Sequence, residues 1–418
     1  MKLKFEKTLL STAIVSASMT GLTSAAVAQG PVLEEVIVTA TRRDASIQDV
    51  PYNISALSGN DLTEAGVTNA SELFRIANGV NFIEQGPRSG VNNSNLIIRG
   101  INAEDLARVS GPMSTAPVVS TYINETPVFV NLRLTDINRV EILRGPQGTL
   151  YGSGSLGGSV RYMYNQPDFS GFNGEVRGGI SQTKNGDGIN WETDLMLNIP
   201  VTDTFALRVN AGVIDYAGYV DQPNRYVRNS DGSPTLDNGS TDPFGDSANF
   251  FAGQPVFKKF DGVNDVETTS ARLAATWAPS DKFTANLNYN YQKDETGGLQ
   301  MNSYNTYGKD SLKNATLIEE PFDRDVDVLA LDVDFDMGFA SFTASASTYQ
   351  SEGEGSRDLT GFYEQFSFWE SYYGTSPRPL IEDISTFDDQ GDVFEARLVS
   401  QGDNTLDWVV GAYYMDQD

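Results

Sequence analysis

The sequence predicts an α+β domain followed by an antiparallel transmembrane β-barrel, present here as an incomplete, open and curved sheet. Three observations carry this expectation. A glycine-dense stretch, Arg139 to Val160, begins with a short apolar strand. Beyond Pro167, apolar and polar residues alternate through many long runs. Those runs are joined by short Pro/Gly/Asp turns at one end and long polar loops at the other, as in barrels that cross an outer membrane.

The chain of 418 residues is long enough for two or more domains. Its formal net charge of -27 would repel phosphates, so no nucleic-acid partner is expected. It has no Cys, which removes disulfides and thiol chemistry, and no His, which removes the commonest general base and metal ligand near neutral pH. No paired catalytic carboxylates stand out, so no catalytic residue, cofactor or metal is expected. With 18 Tyr, 22 Phe and 39 Gly, the composition suits an outer-membrane barrel and equally a secreted β protein.

Residues 1–28 read as an export signal. Lys2, Lys4 and Lys7 precede an apolar stretch from Thr8 to Val15, and Ala26-Val27-Ala28 is a small-x-small cleavage site. The stretch is too short and too rich in Ser and Thr for the roughly 20 apolar residues that span a bilayer as a helix. Residues 29–44 follow, with a β-prone run from Val36 to Thr39 between Gly30-Pro31 and Arg42-Arg43-Asp44. An exposed unpaired strand can accept a partner strand. On physics alone, an ordinary edge strand is the plainer reading.

Residues 45–167 read as a compact α+β unit. Val50 to Leu57 is a strand with Pro51 near its start, where the missing N–H does least harm. Ser58 to Leu62 opens a short helix, with Asn60 or Asp61 expected as N-cap. Thr68 or Asn69 caps a second helix, Ala70 to Ile76, which Asn78-Gly79 ends. Strands are expected at Asn95 to Gly100 and at Val118 to Ile123, the latter turned by Asn124-Glu125 into Pro127 to Val130. Asp136 is expected to start one or two helical turns. Arg139, Glu141 and Arg144 then place charges around the apolar strand Val140 to Leu143. Glycines at 145, 148, 152, 154, 157 and 158 permit tight turns and close backbone approach.

The motifs "VPYNISALSG", "IIRG", "YINETPV", "RVEILRGPQGTLYG" and "GGSV" occur here in that order. Together they resemble the plug domain of TonB-dependent outer-membrane receptors, across essentially the whole region. The signature falls on Gly100, Arg139, Glu141, Gly145, Pro146, Gly148, Tyr151, Gly152, Gly157 and Gly158. The departure is Tyr162 to Pro167, where the family more often has an isoleucine/asparagine strand before Lys-Pro. The resemblance implies a TonB-box segment at 29–44, a plug at 45–167 and part of an outer-membrane barrel at 168–418. It implies that Glu35, Val36, Ile37, Val38, Thr39 and Ala40 form the TonB box and pair with the periplasmic protein TonB by strand addition. It also implies that Arg99 and Arg144, each before a glycine, meet acidic residues on the barrel wall.

Gly152-Ser153-Gly154-Ser155-Leu156-Gly157 satisfies the dinucleotide fingerprint, but that motif needs a helix after it, and Ser159 to Tyr164 is strand-like. Past Pro167 the alternation is explicit. Trp191, Thr193, Leu195, Leu197 and Ile199 share one face, as do Phe205, Leu207, Val209, Ala211 and Val213. Ala271 to Trp277, Phe283 to Tyr291, Leu329 to Phe335 and Leu406 to Tyr414 continue the series. Tyr and Trp at strand ends suit interfacial girdles. Long loops are expected at 219–266, 293–325 and 351–392. A soluble sandwich or propeller would rarely carry loops of that size between hairpin strands. The acidic loops lack the EF-hand spacing and read as solvated.

Glu395 lies on the polar side of its strand, opposite Phe394, Ala396 and Leu398. Two readings stand: it pairs with Arg144 or Arg99 of the plug, or it meets only water or Arg397. The strands from Phe172 onward number roughly nine, where single-chain barrels use even numbers. The expectation is a truncated receptor whose plug lies against an open, curved sheet with outer-membrane lipid outside. The implied function is TonB-dependent uptake of a scarce nutrient, such as a ferric siderophore, cobalamin or an oligosaccharide, with no enzymatic step. The alternative is a secreted soluble β-rich adhesin or carbohydrate-binding protein.

Overall fold

The computed structural model describes residues 37–39, 45–48, 50, 53–67, 69–83, 96–101, 118–128, 132–152, 154–186, 188–230, 232, 235–237, 255–363, 381–402 and 405–417. The expected export signal, and Glu35, Val36 and Ala40 of the TonB box, lie outside these residues. A short antiparallel pair comes first, β1 (Ile37–Val38) on β2 (Ala45–Ser46). Then follow β3 (Ile54–Ser58), α1 (Gly59–Glu64), α2 (Ala70–Ile76), β4 (Val80–Phe82) and β5 (Leu96–Ile98). β6 (Val119–Ile123), β7 (Thr126–Pro127), β8 (Ile137–Arg144), α3 (Gly148–Tyr151) and β9 (Gly158–Tyr164) complete the α+β region. Its main sheet runs β3-β8-β9-β6-β7, with β6 and β9 parallel, and β4 pairs with β5.

The helix starts are set by side-chain caps. Asn69 accepts from the Glu72 N–H at 3.0 Å, one of the two expected caps for α2. For α1 the cap is Ser58, not Asn60 or Asp61. Ser58 Oγ accepts from the Asp61 N–H at 3.1 Å while Asp61 accepts from the Ser58 N–H at 3.0 Å, a reciprocal capping box. Nor does Asp136 start a helix. It takes the left-handed conformation at φ 56°, which Asp tolerates better than most residues, and β8 begins directly after it.

A nine-stranded antiparallel sheet, the wall, follows in the order β10-β11-β12-β15-β16-β17-β18-β19-β20. Its strands are β10 (Asn173–Ser181), β11 (Asn190–Thr202), β12 (Phe205–Tyr216), β15 (Val266–Ser280), β16 (Phe283–Thr296), β17 (Phe322–Asp336), β18 (Ala340–Asp358), β19 (Glu382–Ser400) and β20 (Val409–Gln417). β13 (Gln222–Tyr226) and β14 (Phe257–Phe260) make a hairpin within the connection from β12 to β15, and single turns α4 (Tyr304–Tyr307) and α5 (Thr360–Tyr363) lie in later ones. Among the described residues the wall is open, with β10 and β20 each paired on one side. Of the expected loops, 293–325 is strand only at its ends, with β16 running on to Thr296 and β17 starting at Phe322, whereas the described part of 351–392 is mostly strand, with β18 running to Asp358 and β19 starting at Glu382. Alternation is lost there because neither face beyond the apolar band needs apolar side chains, while the hydrogen-bonded ladder continues.

The two sheets bury opposite kinds of residue. In the α+β region Val140, Ile142, Leu143 and Val160 are fully buried, each contributing about 1.5–3 kcal/mol of apolar transfer. In the wall, Asn198, Arg208, Asn210, Arg272, Asn288 and Asp332 are buried, while Leu273, Trp277, Leu287, Leu329 and Leu331 are exposed. The apolar cluster of the α+β region reaches the wall at Val326, Val328 and Tyr349, so the first region sits on the polar, inner face of the second.

Candidate coupling site

The site grows from one register pair. Glu141 on β8 lies opposite Arg161 on β9, and both side chains are fully buried. Arg161 Nη1 donates to Glu141 Oε2 at 3.0 Å, and Arg139 Nε donates to Glu141 Oε1 at 2.8 Å. Two dehydrated charges persist only when their hydrogen-bonding capacity is filled. The segment after β1 helps fill it. The Thr39 N–H donates to Glu141 Oε1 at 3.0 Å, and Arg161 Nη1 donates to Thr39 Oγ1 at 2.7 Å. Val38 beside it is fully buried. Residues 37–39 are therefore docked on the buried ion pair.

The pair also faces the wall. Arg161 Nη2 donates to Glu125 Oε1 at 2.8 Å, and Glu125 Oε2 accepts from Arg397 of β19 at 2.9 Å. A continuous polar path thus runs Thr39–Glu141–Arg161–Glu125–Arg397. Burial by itself disfavours the Arg161 charge. Tyr151, Glu125 and Glu141 outweigh that penalty and hold its pKa above the ordinary guanidinium value. Arg161 is a fixed cation.

Further ties flank the path. Asp136 accepts from Arg208 at 2.6 Å on each carboxylate oxygen and from Arg272 at 3.3 Å. Arg272 also donates to the Asn165 carbonyl at 2.8 Å and covers the Tyr164 ring at 4.6 Å. Arg133 donates to Asp194 at 2.9 Å, and its N–H to Gln292 at 2.7 Å. The left-handed turn at Asp136 aims its carboxylate at the wall immediately before β8 begins.

The expected anchors are arranged differently. Glu395 accepts from Arg397 at 3.1 Å, two residues along its own face, and pairs with neither Arg99 nor Arg144. Arg144, at the end of β8, donates to Asn53 at 2.9 Å, to Ser55 at 2.8 Å and to the Asn78 carbonyl, all within the α+β region. Burial, and then the neighbouring Arg99, push its pKa down. Arg99 is left-handed at φ 56°, and its Nη1 would lie 3.0 Å from a Cβ at Gly145. Glu125 and Asp136 join carboxylates of the α+β region to arginines of the wall, the reverse of the expected polarity, while Arg133 with Asp194 keeps the expected one.

The glycine signature has a packing cause at two positions. A Cβ at Gly158 would lie 2.2 Å from the Leu143 carbonyl oxygen, and one at Gly157 3.3 Å from that of Val118. Both keep β9 flush with its neighbours. Tyr151 is buried, its ring edge-on to Tyr122 at 5.2 Å, and its carbonyl accepts from the Tyr122 hydroxyl at 3.0 Å. Gly100, Gly145 and Gly152 take positive φ, Pro146 follows the Gly145 turn, and Gly148 opens α3. β9, not a helix, follows Gly157, as the strand-like Ser159 to Tyr164 predicts. Sequence reasoning gave Arg161 and Glu125 no role here, and named Asp136 only as a helix start and Arg397 only as a partner for Glu395. The usable signal was Arg161 itself, a charge amid Val160, Tyr162 and Tyr164 in a buried strand.

A plug seated on the polar inner face of an antiparallel wall is the arrangement of plug-and-barrel folds. Residues 46–159 match the family described as the TonB-dependent receptor plug domain. That stretch is a plug domain of the TonB-dependent receptor kind, and the wall that follows it is similar in fold to the barrel strands of such receptors. The pesticin receptor of Yersinia pestis is 34% identical over 153 residues, 35% of this chain and 21% of that one. The ferripyoverdine receptor of Pseudomonas aeruginosa is 25% identical over 283 residues, 63% of this chain and 32% of that one. Among solved structures, the ferric yersiniabactin uptake receptor FyuA from Yersinia pestis superposes with a TM-score of 0.63 at 18% identity, covering 88% of this chain and 48% of that one. The unliganded ferric citrate transporter FecA gives 0.61 at 14% identity, covering 88% and 47%. These last two likenesses concern the fold. The chain spans about a fifth to a third of those curated relatives and about half of those solved structures.

Proposed function

We propose that this chain serves TonB-dependent uptake of a scarce, large nutrient across the outer membrane, with a ferric siderophore or a similar ligand as cargo. The observation that carries the reading is the docking of residues 37–39 on the buried Glu141–Arg161 pair, which continues through Glu125 to Arg397 of the wall. A strand held by a two-residue ladder and a few hydrogen bonds can be withdrawn by a partner that adds a strand beside it. Withdrawal leaves Glu141 and Arg161 short of partners in a dry interior, so the loss is felt at the plug–wall contact. Ligand on the opposite side of the plug would bias the same network. Relatives named as receptors for ferripyoverdine and hemin and as a vitamin B12 transporter support a large, scarce cargo and a process with no bond made or broken. The exposed apolar face of the wall supports a lipid-facing chain over a soluble adhesin.

The test is Val38→Pro, which removes a ladder donor and fixes φ in the segment TonB would grip. We expect energy-dependent uptake to be lost while ligand binding to cells persists. Undiminished uptake by this variant would sink the proposed role of residues 35–40.

A further inference from the structure

The outer face of the wall records where the membrane ends. Along most strands the outward residues pass from an apolar run to a charged or polar one, and on β19 a single exposed apolar residue, Ile384, returns far above that change. On β10 and β11 the last apolar residues are Ile180 and Trp191, which are register partners. On β12 Val213 gives way to Asp215, on β16 Tyr291 to Lys293, and on β17 Leu329 to Asp327. On β19 Phe394 gives way to Asp392, and on β20 Tyr414 to Asp416. Ile180, Leu329, Phe394 and Tyr414 are all exposed, so these are true outward positions.

These transition points do not lie on one row of the sheet. Trp191 shares its row with Asp215, Glu267 and Glu295. Phe394 and Tyr414 share theirs with Ala346, Leu331 and Leu287. Measured on β16, the boundary falls from residue 295 to residue 287 between β10 and β20, about one residue per strand. That is roughly 26 Å along the strands against roughly 38 Å across them, an inclination of about 35°. Strands of an outer-membrane barrel tilt by about 35–45° from the barrel axis, so a flat membrane surface must cross their rows at such an angle. A soluble protein has no reason to keep an apolar limit that is oblique to its own strands and yet straight.

We infer that the hydrocarbon of the outer leaflet ends along the line Trp191–Val213–Tyr291–Leu329–Phe394–Tyr414, and that acyl chains of lipid are the partner of the outward face below it. The upper parts of β17, β18 and β19, including Asp327, Glu352 and Asp388, then stand in water or headgroups. This rests on the outer-membrane reading above, which it deepens by fixing depth and tilt.

The chain has no cysteine, so single-cysteine variants in intact producing cells report directly. A membrane-impermeant maleimide should label Lys293→Cys, Asp327→Cys and Asp392→Cys, with loss of labelling at Tyr289→Cys, Leu331→Cys and Phe394→Cys. The decisive pair is Asp392 and Tyr289, which share one row through Thr348 and Leu329. Equal labelling of those two would overturn the oblique line while leaving a membrane wall intact. Labelling of Leu331→Cys and Phe394→Cys as well would overturn the membrane wall itself. Absence of label at all six, with the protein present in the outer-membrane fraction, would also overturn the line.

Discussion

The plug and the wall place their apolar residues inside out relative to each other. Ile142 is fully buried in the plug, while Leu331 is 41% exposed in the wall. Both bury charge together with its partner, Glu141 and Arg161 in the plug and Arg208 and Arg272 on the inner face of the wall. Both regions obey one rule, that apolar surface avoids water and charge seeks partners. They differ in what surrounds them. The plug is enclosed by protein and water; the wall has the plug within and, on the reading proposed above, lipid outside. Exposure therefore means opposite things in the two regions, and substitutions separate them.

The largest effect is expected at the buried pair. Arg161→Met leaves Glu141 charged and without its main cation, and should destabilise the plug by about 3–5 kcal/mol. The double variant Glu141→Leu/Arg161→Met should recover most of that, because a dry apolar pair carries no desolvation cost. Denaturant unfolding followed on the plug measures both, and equal stability of single and double variants would contradict a buried pair.

Next comes the lipid-facing side. Leu331→Arg should destabilise the wall by about 1–3 kcal/mol in lipid, because Leu331 lies one outward position below the inferred boundary and the cost of about 2–4 kcal/mol for a cation at the midplane falls toward the interface. On a water-exposed sheet the same exposed position would tolerate the change within about 0.5 kcal/mol. Folding of the variant into lipid vesicles distinguishes the two, and a neutral result would return the wall to the soluble class.

The smallest effect lies on the plug surface. Ser58→Ala removes the α1 cap and should cost about 1 kcal/mol. Bonds from the Ser58 hydroxyl and N–H hold the Asp61 carboxyl below its ordinary value of 3.8. A depressed carboxylate stabilises the folded state above its unfolded pKa, and that contribution is lost as pH falls through the folded one. The gap in thermal midpoint between the parent and Ser58→Ala should therefore be largest at neutral pH and narrow as pH falls below the ordinary carboxylate range. A difference that persists unchanged in acid would assign the cap to Ser58 alone.

Period-two alternation in segments such as Phe283 to Tyr291 was enough to read the wall strands, because a pleated ladder turns successive side chains to opposite faces whatever lies beyond them. The glycine signature was legible for a similar reason. Backbone approach as close as that at Gly158 excludes every side chain, so it leaves a mark in the residue type itself.

Charge partners were not legible in this way. Glu395 was read onto the polar face with two readings open, and the one with Arg397 holds, while Arg144 turns back to Asn53 and Ser55. An arginine reaches several ångströms in many rotamers, and which carboxylate it meets depends on how the plug is seated. Asp136 shows the same limit, since its role rests on a left-handed turn that aims it at Arg208 and Arg272. The polar stretches of β18 and β19 were hidden because hydrogen-bonded strands need no alternation once both faces leave lipid. From its sequence alone, this protein had its strands, its tight turns and its family likeness determined, all of them local or backbone-limited. Only the tertiary structure decided that Thr39 docks on Glu141 and Arg161 and that Glu125 carries the contact to the wall, because long charged side chains choose partners by proximity in space.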